Sequence, residues 1–427
     1  MVNGDIYVPI NFIETSYFLL MKIIHTSDWH LGHNLYNYDR TEEQTAFLRQ
    51  LCSIVSEEQP DALLICGDIY HTANPSATTQ KMYTDGLLAI HQACPSMQII
   101  VTAGNHDSAA RLSVDSCLWE QFNVAVIGGI AHHADGTTNF DKHIVEITDL
   151  KGQLIGYIGA VPHVYPHNFP SEKGSVPREQ RQRFFFQRLL DEIAQKNSQE
   201  LPVVLTAHLA VVNPNNNKED AIIGGMEQVT REELGTGYDY LALGHIHRPH
   251  LVHKAYPMAA YCGSPIAVDF DEDYTHSVYI IDIEKHLTSP TVKQIEINNP
   301  LPLTTVPQQP AGWDDIMNIL SLWPEDKKDY IRINLKGDEK NTPDMTERIC
   351  KLLEEKQSRF CYVKLNKNES KNAVKNNQLS IEEFKQKNPV EIAQMYYLDK
   401  ENAVMNEQLV HLLKQAWQQV IKDDSIA

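Results

Sequence analysis

Three short apolar runs, KIIHTSD, ALLICGD and QIIVTAGNH, each end abruptly in polar residues, and two stretches of helical periodicity separate them. TEEQTAFLRQLCSIVSEEQ places Phe47, Leu48, Leu51, Ile54 and Val55 at helical spacing, and NPSATTQKMYTDGLLAIHQ does likewise with Met82, Leu87, Leu88 and Ile90. Strand, helix, strand, helix, strand is an order that builds parallel sheet through right-handed crossovers. After Gly128 the strand-like runs crowd together: HIVEITD, QLIGYIGAVP, PVVLTAHL, YDYLALGHIH, AAYCGSP and HSVYIIDI, with a helical stretch at 178–197 between them. This surplus of strand predicts a second, largely antiparallel sheet packed on the first. The expected class is α/β: two packed mixed β-sheets flanked by helices over residues 21–290.

A chain of 427 residues exceeds one ordinary domain, so appendages are expected. Near Ile297 the composition shifts, and NNPLPLTTVPQQP reads as a Pro-rich linker. A small α+β unit follows at 300–366: a helix at 313–322, the strand YIRINLKG, the helix TPDMTERICKLLEEK and the strand RFCYVKL. Thr342 and Pro343 suit the cap and first position of that second helix. Residues 367–379, rich in Asn and Lys, read as a flexible linker. Residues 380–427 carry amphipathic helix with Ile392, Met395, Leu409, Leu412, Leu413, Trp417 and Val420, which either docks on its own domain or serves a partner. Residues 1–20 lack the basic start and cleavage site of a signal peptide. Met21 is the expected native start and 1–20 an extension, which the N-terminal mass of protein made from its own gene tests.

Hydrophobic content of 42% and charged content of 22% are those of a soluble globular protein. No run approaches the roughly 18–20 apolar residues that span a bilayer, so no membrane association is expected. The seven cysteines form no C-x-x-C pair and several sit in apolar runs, which suits reduced core thiols and a cytoplasmic location. A net charge of −19 argues against coating nucleic acid with a basic face. Catalysis on nucleic acid stays open, because bound cations, local basic stretches or a partner can attract phosphate.

The polar ends of the strands carry the chemistry. Asp28 and His30, two apart at a strand end, point to the same side. Asp68 ends the second run, and its two carboxylate oxygens can bridge two cations. Asn105 offers a neutral amide oxygen; His208 ends PVVLTAH; His245 and His247 stand two apart in GHIH. Each member alone is weak. Five strand-following segments that all supply ligands of the kind Mn²⁺ accepts make a set, and ligand sites of open α/β sheets lie at strand carboxyl ends.

The pattern D-x-H, GD, GNHD, H, GHIH resembles the calcineurin-like metallophosphoesterase superfamily. The stretches HTSDWHLGHNLY, GNHDSAARL, YDYLALGHIHRPH and GSPIAVDFDE are more narrowly similar to the SbcD-type nucleases of bacterial SbcCD complexes, strongly over 21–283 and by organisation only beyond. The resemblance implies a four-layer sandwich and two Mn²⁺ ions, with Mg²⁺ as a substitute. It places Asp28, His30, Asp68 and His247 on the first ion, and Asp68, Asn105, His208 and His245 on the second. His106 matches the family's non-ligand catalytic histidine. His71 either touches the scissile phosphate or is a surface loop residue, and Arg111 either meets DNA phosphate or forms a structural salt bridge. Asp107 is expected to cap the following turn, and His132, His133, His163, His167, His250 and His253 to be surface or packing residues. The implied function is that of a Mn²⁺-dependent DNA exonuclease and endonuclease, acting 3′–5′ on duplex ends and cleaving hairpins or ends in repair, recombination and replication. The implied partners are an SbcC-type SMC-like ATPase, double-stranded DNA ends and hairpins, and a second copy within a heterotetramer. No G-x-x-x-x-G-K-[ST] loop is present, so ATP dependence would come from the partner. The 300–366 unit would be a capping domain, and the helix at 76–91 would pair two copies unless its stripe packs on its own sheet. The alternative is a small-molecule phosphodiesterase on the same fold.

Overall fold

The computed structural model describes residues 20–165, 168–171, 176–212, 229–337, 339–366 and scattered positions between 390 and 414. In chain order the main elements are β1 Met21–Thr26, α1 Thr41–Glu58, β2 Ala62–Cys66, α2 Ala77–Ala93, β3 Gln98–Thr102 and β4 Val124–Ile127. Then come β5 Ile144–Thr148, β6 Leu154–Ala160, α3 Arg181–Lys196, β7 Val203–His208 and β8 Tyr240–Gly244. β9 His250–His253, β10 Met258–Tyr261, β11 Ser277–Ile283 and β12 Thr291–Glu296 complete the set. Helix α2 starts where Ser76, in extended backbone, accepts the Thr79 N–H at 3.1 Å.

The first six-stranded sheet runs β12-β11-β1-β2-β3-β4, parallel from β1 to β4, with β11 and β12 antiparallel at one side. The second runs β9-β10-β8-β7-β6-β5. Its centre, β10, β8, β7 and β6, is parallel, and only β9 and β5 at the edges are antiparallel. The expectation of a largely antiparallel second sheet is therefore corrected. The physical reason is that β6, α3 and β7 form another strand-helix-strand crossover, which brings β7 in parallel to β6.

Alternation along the strands divides the core into layers. Leu63, Ile65 and Ile99 face Phe47 and Leu51 of α1 and Leu87 and Ile90 of α2. Between the sheets, Ile23, Leu64 and Ile100 meet Ile158, Val204 and Ala242. On the far face, Phe185, Phe186, Leu189 and Ile193 of α3 cover Leu205, Leu241 and Leu243. Each such side chain stabilises the fold by roughly 1.5–3 kcal/mol through burial. Leu87 and Ile90 of α2 thus pack on its own sheet, fully buried, whereas Met82 and Leu88 of the same stripe are half-buried.

A smaller sheet follows: β13 Leu303–Ala311, α4 Trp313–Ser321, β14 Tyr330–Lys336, α5 Pro343–Leu353 and β15 Arg359–Asn366. All its pairings are parallel, in the order β13-β14-β15, so this unit is α/β rather than α+β. Part of the expected Pro-rich linker is in fact strand β13. Pro307 and Pro310 are tolerated because β13 lies at the sheet edge and its register slips between Val306 and Ala311. Thr342 and Pro343 occupy the cap and first helical positions, without a capping bond from the threonine side chain.

All seven cysteines are unpaired; Cys66, Cys94 and Cys262 are buried, whereas Cys117 and Cys350 are exposed rather than core residues. Among the described residues, no helix is long and apolar enough to cross a membrane. The chain divides into two compact units, 1–366 and 367–427. In the second, positions 409–414 are helical; the linker at 367–379 and Ile392, Met395, Trp417 and Val420 lie outside the described residues, as does 1–19.

Candidate metal centre

The carboxyl ends of β1, β2, β3, β7 and β8 converge on one point between the sheets. The loop after β1 is knitted to the loop after β2: the N–H groups of Asp28, His30 and Leu31 donate to the carbonyls of Gly67, Asp68 and Ile69 at 3.0, 3.0 and 2.9 Å. Four side chains at this point sit on left-handed backbone: Asp28 (φ 54°), His30 (45°), Asp68 (51°) and His245 (99°). Non-glycine residues adopt this region at a cost of about 1–3 kcal/mol each, and such strain persists where the surroundings hold it for function.

The side chains gather around Asp68. Its Oδ2 lies 3.6 Å from His30 Nε2 and its Oδ1 lies 3.5 Å from His208 Nε2, so its two oxygens serve two sides. On one side His30 Nε2 faces His247 Nε2 at 3.1 Å; on the other, His208 Nε2 faces Asn105 Oδ1 at 3.0 Å. Asp28, His30 and His247 offer ligand atoms within 4.8 Å of one another, and so do Asp28, Asp68 and His208. Asp28 therefore reaches both groups. The His245 amide donates to both oxygens of Asp28 at 3.0 and 3.2 Å, and its ring lies edge-on to His208 at 5.5 Å.

Asp28 is fully buried and Asp68 is 2% exposed, and among the described residues neither pairs with a lysine or arginine. Burial is the largest influence on Asp28 and pushes its carboxyl up, against the pull of His208 and His247. Burial pushes Asp68 the same way, but His208, His30 and the His106 N–H outweigh it and hold Asp68 below the usual carboxylate range. Burial opposes charge on His208, yet Asp68 and Asp28 raise it to about 9. Burial keeps His30 well below its ordinary value. Two buried carboxylates with no lysine or arginine partner among the described residues, imidazole nitrogens 3.5–3.6 Å from Asp68 and an amide oxygen 3.0 Å from one of those nitrogens are a donor set that suits divalent cations.

The family model of calcineurin-like phosphoesterases matches residues 21–249, more than half of the chain. The chain belongs to this family. Its members being metal-dependent phosphoesterases, the protein is a hydrolase that depends on divalent metal. The chain is also similar to the SbcD component of the SbcCD nuclease from Rhodobacter capsulatus, 29% identical over 68% of this chain and 72% of the relative. The corresponding SbcD of Escherichia coli K12 is 26% identical over 71% and 76%, and that of Bacillus subtilis 31% identical over 61% and 66%.

Further polar residues stand beside the two ligand groups. His106 is tied to Asp68 through its backbone N–H (2.9 Å), and its Nδ1 donates to the His71 carbonyl at 2.8 Å. The His71 ring stacks on His106 at 5.6 Å and meets His33 edge-on at 4.5 Å, which places it beside the ligand groups. Asp107 does not cap the following turn. Its carboxylate accepts from the N–H groups of Gly104, Tyr70 and Ile69 at 2.8, 2.9 and 3.1 Å, locking the Asp68 loop to the Asn105 loop. His163 packs against the centre: its Nδ1 meets the His208 carbonyl at 3.2 Å, and it lines a cavity of about 260 Å³ with Asn105. His132, His133, His250 and His253 stay outside the centre, and His167 lies outside the described residues. Arg111 is exposed and has no ion pair among the described residues. Sequence reasoning missed Glu272, whose Oε1 lies 2.6 Å from His247 Nδ1.

Proposed function

We propose that this chain is a Mn²⁺-dependent DNA nuclease, cleaving phosphodiesters at duplex ends and hairpins in the 3′–5′ sense together with an SbcC-type SMC-like ATPase. The observation that carries the reading is Asp68, each of whose oxygens faces a different set of imidazole donors. On this reading Asp28, His30, Asp68 and His247 hold one ion, and Asp68, Asn105, His208 and His245 the other. When bound, two such ions neutralise charge on phosphoryl oxygens and lower the pKa of water.

The remaining work falls to the chain. With Nδ1–H directed at the His71 carbonyl, His106 must carry a second proton on Nε2 to deliver it to the leaving oxygen. His71 is kept below its ordinary value by burial first and by the neighbouring His106, which favours its neutral form. It can then donate a hydrogen bond to phosphate without competing for the proton. The similarity to the SbcD components of SbcCD nucleases supports DNA as substrate and the ATPase as partner. The exposed Arg111 supplies a cation for the DNA backbone, which a protein of net charge −19 needs locally. The 300–366 unit acts as the capping domain, 380–427 binds the ATPase, and two copies pair.

The test is cleavage of blunt duplex and hairpin DNA by the purified full chain, with Mn²⁺, Mg²⁺ or chelator, alone and with the ATPase. Absence of metal-dependent cleavage in every case refutes the reading. Hydrolysis of bis(p-nitrophenyl) phosphate without DNA cleavage would point instead to a small-molecule phosphodiesterase.

A further inference from the structure

His106, His208 and His247 each meet an acceptor at Nδ1 among the described residues. For His106 and His208 it is a backbone carbonyl, of His71 and Cys66 respectively, at 2.8 and 2.9 Å. For His247 it is a carboxylate, Glu272 Oε1, at 2.6 Å. A carboxylate on the remote nitrogen selects the Nδ1–H tautomer, turns the Nε2 lone pair inward and raises the basicity of the ring. Nε2 of His247 does face inward, towards His30 Nε2 at 3.1 Å.

Glu272 is itself held from two directions. Its Oε2 accepts from the Val268 N–H at 3.0 Å and from Ser264 Oγ at 3.4 Å. Its neighbour Asp271 receives Arg332 Nη1 of β14 at 2.6 Å and Lys364 Nζ of β15 at 3.3 Å. The loop carrying Glu272 is therefore pinned to the smaller sheet on one side and to the metal centre on the other.

We propose that Glu272 is a positioning residue: its carboxylate orients His247 toward one of the two ion sites, from a loop that Arg332 anchors to the smaller sheet. The inference rests on the metal centre assigned above and is independent of the substrate. Metal-free full-length protein and its Glu272→Gln and Glu272→Asp variants are titrated with MnCl₂ by calorimetry, free Mn²⁺ being counted by electron paramagnetic resonance. Glutamine can still accept from Nδ1–H but brings no charge, so one site should weaken by about 10–100-fold while the other keeps its affinity. Aspartate should restore part of the loss. Thermal unfolding without metal should be alike in all three proteins. Wild-type binding at both sites in the glutamine variant overturns the proposal. Equal weakening of both sites with a lowered melting temperature also overturns it, since Glu272 would then support only the fold. A protein that shows the expected binding pattern but cuts no DNA refutes the substrate reading alone. A wild-type protein that takes up no Mn²⁺ refutes both.

Discussion

On the proposed reading His106 delivers a proton and His208 binds a cation, and each role can be tested separately. Replacing His106 by Ala should lower turnover by roughly 10²–10⁴-fold, the range for a lost general acid, while Mn²⁺ titration stays unchanged. His208, raised to about 9 without metal, keeps its proton at pH 7, and an incoming ion must displace it. Mn²⁺ affinity should therefore rise with pH between about 6.5 and 9, with proton release visible as a buffer-dependent binding heat. Stability of the metal-free protein has the opposite sign. A histidine whose folded pKa exceeds its unfolded value stabilises fully below about 6.5, and that contribution fades as pH climbs through 9. The residues brought together here were legible because each follows an apolar strand directly. Glu272 was not, since a bond spanning 25 positions of chain leaves no local periodicity to read.

At the level of elements, the two sheets come close together where β8 ends. A Cβ on Gly244 would collide with the Cys66 carbonyl at the end of β2 and with the His208 ring. Gly244→Ala should therefore destabilise the protein by about 1–3 kcal/mol, as overpacking does, and denaturant unfolding measures it. Strands β1, β2 and β3 and helices α1 and α2 were legible from apolar spacing. Short β4 was not singled out, and β13 was hidden by its prolines, which an edge strand accepts. Strand direction in the second sheet was misread for a different reason. Apolar runs buried on both faces look alike in parallel and antiparallel sheet, and only the helix between β6 and β7 carried the information.

For the whole molecule, the proposed assignment makes the division at residue 366 a boundary between catalysis and assembly. A chain ending at 366 should keep its metal binding and its thermal transition, and should lose association with the ATPase in size-exclusion chromatography. If the truncated chain still binds the ATPase, residues 380–427 are not the docking segment. The division after 366 coincides with the start of the Asn- and Lys-rich run that interrupts the apolar periods of the sequence.

The proposed ligand atoms come from residues as far apart as Asp28 and His247, in loops that follow strands of both sheets. Ions held there act as a rivet through the sandwich. Ions at 100 times their dissociation constant would add about 2.7 kcal/mol per independent site to the unfolding free energy. Melting temperature should accordingly climb with Mn²⁺ concentration, and an Asp68→Asn variant should show little of that rise. Metal supply would then govern how long each molecule survives proteolysis, as well as how fast it works.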